Sequence, residues 1–226
     1  MKRDVLDRLL VARRDRRAVA VITDLETGAQ RLIGEEEAPE DVLSAALLDG
    51  FRFDRSGIAR AEEGEFFVNI YNPPLKLVIV GAVHVAQVLI PIAHLAGYDI
   101  TVIDPRGAFA SLQRFPDVTL SAEWPDEALP RLDLDRRTAL IALTHDPKID
   151  DPALTAALES ACFYIGALGS KKTHAGRLER LTAAGVAPDA FARIHAPIGL
   201  AIGARGPAEI AISIMAEMTR TLRLEQ

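Results

Sequence analysis

The chain has 226 residues, 49% of them apolar, and a formal net charge of −6, which excludes a disordered tail and argues against a nucleic-acid partner. The one cysteine, Cys162, excludes a disulfide framework and a CxxC metal site, and it suits a reducing compartment. We expect a cytoplasmic protein with no membrane segment, because the charged start lacks a signal peptide's apolar core and no run of about 18 apolar residues occurs.

Residues 1–72 predict a small α/β domain. The apolar spacing predicts a helix over Val5–Arg17, strands over Ala18–Thr23, Gln30–Ile33 and Glu65–Tyr71, and a second helix over Asp41–Leu48. Gly50 is expected to close that second helix, since glycine is common just after a helix. Asn72-Pro73-Pro74 interrupts any regular structure and predicts a boundary before a second domain at residues 75–226.

After the two prolines, short apolar strands alternate with helices. The predicted strands are Leu75–Val80, Ile100–Ile103, Ala139–Leu143 and Phe163–Ala167. The predicted helices are Val83–Ala96, Asp151–Ser160, Lys171–Ala184 and Pro207–Leu222. Buried strands that alternate with helices indicate an α/β fold, here a Rossmann-like, mostly parallel sheet with helices on both faces.

The last predicted helix has one apolar side. Its apolar stripe consists of Ile210, Ala211, Ile214, Met215, Met218 and Leu222. Glu209, Ser213 and Glu217 are predicted to lie on the opposite, polar side. Because this stripe and the small first domain offer surface that two copies could share, we expect a homodimer.

The first strand of the second domain runs into a helix through a loop that resembles a dinucleotide fingerprint. Gly81 permits the tight turn, and Ala86 is small enough for close packing of helix on strand. Val83 occupies the position of the middle glycine, where a β-branched side chain crowds a pyrophosphate. Asp104 ends the next strand, where a ribose-binding acid would lie. The pattern favours a Rossmann-like fold without a dinucleotide over one that binds NAD(P).

Two histidines follow different predicted strands. His84 begins a helix, and His145 follows the strand that ends near Leu143. The carboxyl ends of parallel strands share one edge of the sheet, so both imidazoles could contact one ligand. Asp146 and Asp150 flank Pro147 and either cap the next helix or face the same crevice.

Two glycine-containing loops precede predicted helices. The segment Gly166-Ala167-Leu168-Gly169-Ser170-Lys171-Lys172 predicts an anion cradle, in which backbone N–H groups, a hydroxyl and ammonium groups point at one ligand. The alternative is a helix capped by Ser170 with solvated lysines. The loop around Gly199 either approaches a planar ligand with its backbone or packs under the last helix.

Taken in order, these segments resemble the XdhC/CoxI family of xanthine dehydrogenase accessory proteins. The resemblance rests on Gly81-Ala82-Val83-His84-Val85-Ala86, Asp104-Pro105-Arg106, Thr144-His145-Asp146 with Asp150, Tyr164-Ile165-Gly166 through Lys171, Pro197-Ile198-Gly199-Leu200 through Gly203, and Pro207-Ala208-Glu209-Ile210-Ala211 through Glu217. Each segment alone is a weak signal, and their shared order from Leu75 to Met218 makes the resemblance specific.

The resemblance implies a chaperone with no turnover of its own. It would bind the molybdopterin cofactor and pass it to a molybdenum hydroxylase of the xanthine or carbon monoxide dehydrogenase type, with a cysteine desulfurase as a further partner. The implied cofactor-binding residues are Gly81, His84, Asp104, Arg106, His145, Asp146, Gly166, Gly169, Ser170, Lys171 and Gly199.

The chain also departs from the family pattern. Family members carry a GSSPR-like stretch and a Gly-Gly-Cys motif in a larger first domain, and residues 1–72 contain neither. Val83 also replaces the glycine of the family's GAGH-like loop. A paralogue that binds or scaffolds without loading the cofactor, an NAD(P)-dependent oxidoreductase and a nucleotide-sensing module therefore stay open as alternatives.

Overall fold

The computed structural model describes residues 1–107 and 109–224. The chain divides into two compact units, Met1–Pro73 and Pro74–Gln226. The division falls between two successive prolines, neither of which can donate a backbone hydrogen bond to a strand or helix.

The first unit is a four-stranded antiparallel sheet with a helix on each face. Its elements are α1 (Arg3–Arg14), β1 (Val19–Asp24), β2 (Gln30–Gly34), a 3₁₀ helix (Glu35–Glu40), α2 (Ser44–Phe53), β3 (Gly57–Ala61) and β4 (Gly64–Tyr71), with strand order β2-β1-β4-β3. Helix α1 buries Val5 and Leu9 against Val19 and Val21. Helix α2 packs on the other face, where Ala20 and Ile22 point, because successive strand residues face opposite sides.

The predicted position of the second helix was wrong. Helix α2 passes through Gly50 and ends at Phe53, and its C-cap Asp54 has a left-handed φ of 53°. A Cβ atom at Gly50 would lie 2.9 Å from the Ile70 side chain, so this glycine permits close packing on β4 and does not end the helix. The prediction also missed β3, whose short run Gly57–Ala61 carries little apolar signal.

The second unit confirms the predicted Rossmann-like fold. Its parallel strands are β5 (Leu75–Val80), β6 (Tyr98–Ile103), β7 (Thr119–Ser121), β8 (Thr138–Ala142), β9 (Tyr164–Ala167) and β10 (Ile194–His195), in the order β10-β9-β8-β5-β6-β7. Its helices are α3 (His84–Leu95), α4 (Pro125–Ala128), α5 (Pro147–Leu158), α6 (Lys171–Ala183) and α7 (Pro207–Leu224), with 3₁₀ helices at Leu129–Arg131 and Pro188–Arg193.

Two apolar layers cover the parallel sheet. Leu77 and Ile79 face α3 and α7, whereas Val78 and Val80 face α5 and α6. A strand covered on both faces needs apolar residues, which explains the apolar run over residues 77–80 of β5. Lys76, near the start of the strand, is half-buried, and its Nζ donates to the Leu132 and Asp133 carbonyls.

Helix α7 is more buried than its sequence predicted. Its apolar stripe packs in the core with α3, but Ser213 and Glu217 are buried as well. One Glu217 carboxylate oxygen accepts hydrogen bonds from the Tyr164 hydroxyl at 2.6 Å and the Gly199 N–H at 2.7 Å. Burial raises the pKa of Glu217, but hydrogen bonds from His195, Tyr164 and Gly199 outweigh it, so its pKa lies below the ordinary value. Because the stripe is covered by its own chain, it offers no surface for a homodimer.

Gly199 also determines how closely its loop approaches α7. Its φ is +89°, and a Cβ atom would lie 2.1 Å from Ser213 Oγ and 3.1 Å from the Ile214 backbone nitrogen. The structure therefore favours the interpretation that this loop packs under the last helix.

We predict that Gly199→Ala lowers the free energy of unfolding by about 2–4 kcal/mol, from left-handed strain and overpacking combined. Gly206→Ala is the matched control, because a Cβ atom there meets nothing within 4 Å. Urea denaturation of both variants measures the difference, and equal stabilities would contradict the packing role of Gly199.

Candidate functional site

The loops that follow the strands meet at the carboxyl edge of the parallel sheet. From β5 the chain proceeds outward through β6 and β7, and then returns to the other side of β5 with β8, β9 and β10. The strand order thus reverses between β5 and β8, and open α/β sheets bind ligands in the crevice at such a point.

Gly81 brings the β5 and β8 loops into contact. Its φ is +115°, and a Cβ atom would lie 2.7 Å from Thr144 Cγ2 and 3.3 Å from the Thr144 nitrogen. Only glycine allows this approach of backbone to backbone. His84 begins α3 beside this contact, and His145 follows Thr144, so the two exposed histidines lie at the ends of neighbouring strands.

Asp104, at the end of β6, is fully engaged with its own chain. Its side chain has no exposed surface. It accepts hydrogen bonds from the Ala82 N–H at 2.8 Å and from the backbone N–H, Nε and Nη2 of Arg106 at 2.8–3.0 Å. Burial raises the pKa of Asp104, but the bonds from Arg106 and Ala82 outweigh it and leave the pKa below its ordinary value. Since a carboxylate has about four acceptor sites, none remains for a ribose hydroxyl.

The β8–α5 loop is organised by Asp150. This carboxylate is 1% exposed and accepts hydrogen bonds from Thr144 Oγ1 at 2.6 Å and from the His145 N–H at 3.0 Å. Burial is the largest influence on Asp150 and raises its pKa. His145 adopts a left-handed φ of 66°, which is uncommon for a residue other than glycine and occurs often at functional sites.

Helix α5 begins earlier than predicted. Asp146, not Asp150, is the N-cap, and it accepts a hydrogen bond from the Lys148 N–H at 3.0 Å. Pro147 occupies the first helical position, which tolerates proline because its nitrogen needs no partner there. The predicted start at Asp151 was four residues late, and Asp150 folds back onto the loop.

The β9–α6 loop leads into a helix without acidic residues in its first turn. Gly169 has a φ of +137°, and Ser170 is the N-cap, with its Oγ accepting from the Thr173 N–H at 3.2 Å. Lys171 and Lys172 are exposed. The Ser170 cap and the exposed lysines match the alternative of a capped surface helix, and the anion cradle at the same N-terminus stays a prediction.

Arg177 is a buried residue about two turns into α6, where the sequence alone permits an orientation toward either the core or the solvent. It is 1% exposed, and its Nη2 donates to the Leu168 carbonyl at 2.9 Å. The same nitrogen lies 3.8 Å from the Asp150 carboxylate, too far for a hydrogen bond. Leu181 follows one turn later on the same buried face of α6, and this i,i+4 spacing to an apolar residue is the one sequence signal that could have suggested an inward orientation.

The structure does not place all the residues of the expected site together. Gly81, His84, Asp104, Arg106, His145, Asp146, Gly169, Ser170 and Lys171 lie at or beside the carboxyl ends of β5, β6, β8 and β9. Gly166 lies within β9, where a Cβ atom would be 2.4 Å from Ile198 Cδ1. Packing alone therefore explains Gly166, as it explains Gly199.

The described residues show no separate metal centre. Across residues 1–107 and 109–224, no group of three or more His, Cys, Asp or Glu side chains is arranged to hold a metal ion. Cys162 is 5% exposed, and burial raises the pKa of its thiol, so the thiolate form is disfavoured. Within the same residues, no helix has the length and apolar character needed to span a membrane.

Comparison with known proteins gives the family. The XdhC Rossmann domain matches residues 77–218, which include every strand-end loop described above. The chain belongs to the XdhC family.

Individual relatives agree with this assignment. The molybdenum cofactor insertion chaperone PaoD of Escherichia coli K12 is 34% identical over 156 residues, covering 69% of this chain and 42% of PaoD. The protein YqeB of the same organism is 34% identical over 154 residues, covering 67% of this chain and 28% of YqeB. The chain thus spans less than half the length of these curated relatives.

A solved structure extends the likeness beyond the Rossmann domain. A xanthine dehydrogenase from Bacillus halodurans superposes with a TM-score of 0.70 and 25% identity, covering 99% of this chain and 65% of the other. The small first unit of this XdhC protein is therefore included in the structural match.

We predict that Asp104→Asn lowers the free energy of unfolding by about 2 kcal/mol at neutral pH, because Arg106 loses its charged partner. The pKa of Asp104 is depressed in the folded state. Its contribution is therefore complete above the unfolded value of about 3.9 and is lost as the pH falls through the lower folded pKa.

Denaturation across this pH range measures the difference between wild type and Asp104→Asn. Asp99→Asn is the control, since Asp99 lies on the same strand with an exposed side chain. If the difference in unfolding free energy between wild type and Asp104→Asn stays the same in acid, the ionised Asp104 is not its source.

Proposed function

We propose that this XdhC protein serves the maturation of molybdenum hydroxylases by holding the molybdenum cofactor and passing it to a client enzyme. The observation that carries the proposal is the family match over residues 77–218, whose strand ends converge at the switch point of the sheet. PaoD, described as a molybdenum cofactor insertion chaperone, matches over 156 residues, 69% of this chain.

The chemistry of the crevice supports binding of this cargo. The two buried carboxylates, Asp104 and Asp150, accept hydrogen bonds from the loops and are not among the groups exposed to the crevice. The exposed groups at the edge include the imidazoles of His84 and His145 and the ammonium group of Lys171. Imidazole and ammonium groups suit a ligand that carries a phosphate and a metal.

An NAD(P)-dependent oxidoreductase receives less support. Asp104 lies where a ribose-binding acid would, but its carboxylate already accepts hydrogen bonds from Ala82 and Arg106. Val83 stands where a dinucleotide fingerprint has its middle glycine. Both features also count against a sensor that binds a dinucleotide at β5.

A carrier must release its cargo as well as bind it. We expect a dissociation constant in the micromolar range, about −8 kcal/mol, which permits transfer to a tighter client site. A cysteine desulfurase remains a proposed partner. It would act on the bound cofactor, because the buried thiol of Cys162 is poorly placed to accept sulfur.

The test is reconstitution of an apo-hydroxylase with released molybdenum cofactor. We expect purified protein to raise the recovered hydroxylase activity, and the double variant His84→Ala/Lys171→Ala to lose most of that gain. His94→Ala is the matched control, because His94 is an exposed histidine at the far end of α3. Equal recovery with and without the protein would reject the proposal, and NAD(P)H turnover would favour the oxidoreductase.

We also retain the homodimer as a proposal, now resting on the surface of the first unit alone. Sedimentation at micromolar concentration decides it, and a monomer mass would exclude a stable dimer.

A further inference from the structure

Three helices begin at the carboxyl edge near the switch point, and their N-termini differ in charge. The loop before α3 has its Ala82 N–H bonded to the Asp104 carboxylate at 2.8 Å. Helix α5 is capped by Asp146 and has Asp150 in its first turn. Helix α6 is capped by the neutral Ser170 and has two lysines in its first turn. Bound anions favour a helix N-terminus that carries no negative side chain. Neither α3 nor α6 has an acidic residue in its first turn, but the Asp104 carboxylate already accepts the N–H just before α3, whereas two lysines begin α6.

Arg177 adds a buried cation to this N-terminus. Its bond to the Leu168 carbonyl places the guanidinium at the strand-to-helix junction, two residues before the N-cap. Its Nε and Nη1 have no hydrogen-bond partner among residues 1–107 and 109–224. A buried guanidinium with two unbonded nitrogens is rare, since each donor has lost its water.

Asp150 compensates the Arg177 charge only in part. The closest approach is 3.8 Å, and the Asp150 oxygens already accept from Thr144 and His145. Burial is the largest influence on both groups: it raises the pKa of Asp150 and lowers that of Arg177. Both shifts have the direction of desolvated groups and not that of a strong ion pair.

A second buried polar atom without a partner lies one turn away in the described part of the chain. His174 Nδ1 is buried and has no hydrogen-bond partner in the described part of the chain. Burial lowers the pKa of His174, and the Arg177 charge lowers it further, so the imidazole adds a neutral group.

We propose that the α6 N-terminus, formed by Gly169, Ser170, Lys171 and Lys172 above the Arg177 guanidinium, binds the phosphate monoester of the carried ligand. This inference rests on the proposed function for the identity of the ligand. The N–H groups of Lys171 and Lys172 lie in the first helical turn, which has no preceding turn to bond to. A dianionic phosphate matches two lysines, the helix dipole and a guanidinium better than a monoanionic carboxylate does.

Gly169 keeps this cradle open. Its φ of +137° suits glycine, and a Cβ atom would lie 3.0–3.1 Å from the Thr173 side chain. A side chain at this position would both strain the loop and crowd the N-cap.

The test uses the full chain, without cofactor or hydroxylase, and titrates it calorimetrically with inorganic phosphate, glycerol phosphate, dimethyl phosphate and acetate. We expect saturable binding of inorganic phosphate and the monoester, and much weaker binding of the diester and acetate. NADH is a further arm, because tighter binding of NADH than of the monoester would indicate a pyrophosphate site and overturn the proposal.

Variants locate the site. We expect Arg177→Met to weaken phosphate binding roughly 10- to 100-fold, because it removes the buried positive charge beneath the helix N-terminus. Arg180→Met is the matched control, since Arg180 lies on the same helix and pairs with Asp151 at 2.6 Å. Equal phosphate affinity in wild type and Arg177→Met would overturn the role of Arg177.

If Arg177→Met does not fold, the exposed double variant Lys171→Gln/Lys172→Gln replaces it. We expect its phosphate affinity to fall, and an unchanged affinity at low salt would overturn the site. Because this measurement needs no molybdenum cofactor, it can fail while reconstitution succeeds, and the reverse also holds.

Discussion

The buried Asp150 carboxylate fixes the geometry of the carboxyl edge. It bonds Thr144 and His145 on its own loop and lies 3.8 Å from Arg177, which in turn bonds the Leu168 carbonyl of the next loop. Thr144 also contacts Gly81, so the same carboxylate indirectly positions the β5 loop. Burying this carboxylate costs free energy, and its raised pKa records that cost. The loops that follow β5, β8 and β9 are thus linked to one another through side chains of the loops and helices, and not through residues of the strands.

The sheet and its helices could be predicted because burial on both faces imposes a simple pattern. Strands that are apolar at all but one position, such as β5, have few alternatives, and the prolines at 73 and 74 coincide with the division of the chain. Short edge strands carry no such pattern: β10 contains only Ile194 and His195. Its pairing with β9 follows from the fold and not from local preference.

The site was less predictable, because the same residue types serve binding and packing. Gly81 and Gly199 have similar sequence surroundings, yet one brings two strand-end loops together and the other accommodates α7. Helical spacing predicted a solvent-exposed Glu217. In the structure its carboxylate is buried and accepts hydrogen bonds from the Tyr164 hydroxyl and the Gly199 N–H. Arg177 is the clearest case. The inward orientation of its side chain depends on a hydrogen bond to the Leu168 carbonyl, and the sequence does not show that acceptor.

The distribution of charge along the carboxyl edge gives a bound ligand a direction. The Asp104 carboxylate bonds the N–H that precedes α3, acidic residues lie at the start of α5, and two lysines and Arg177 lie at or near the start of α6. On the proposed function, an anionic group would be drawn toward the β9 side, and the rest of the ligand would extend toward β8 and β5. The axes of β9 and β5 are separated by two strand spacings, roughly 10 Å. Across that distance the ligand would pass His145 and reach His84, both exposed. A carrier arranged in this way would hold its cargo firmly at the phosphate and present the other end to a client, which is the polarity that transfer requires.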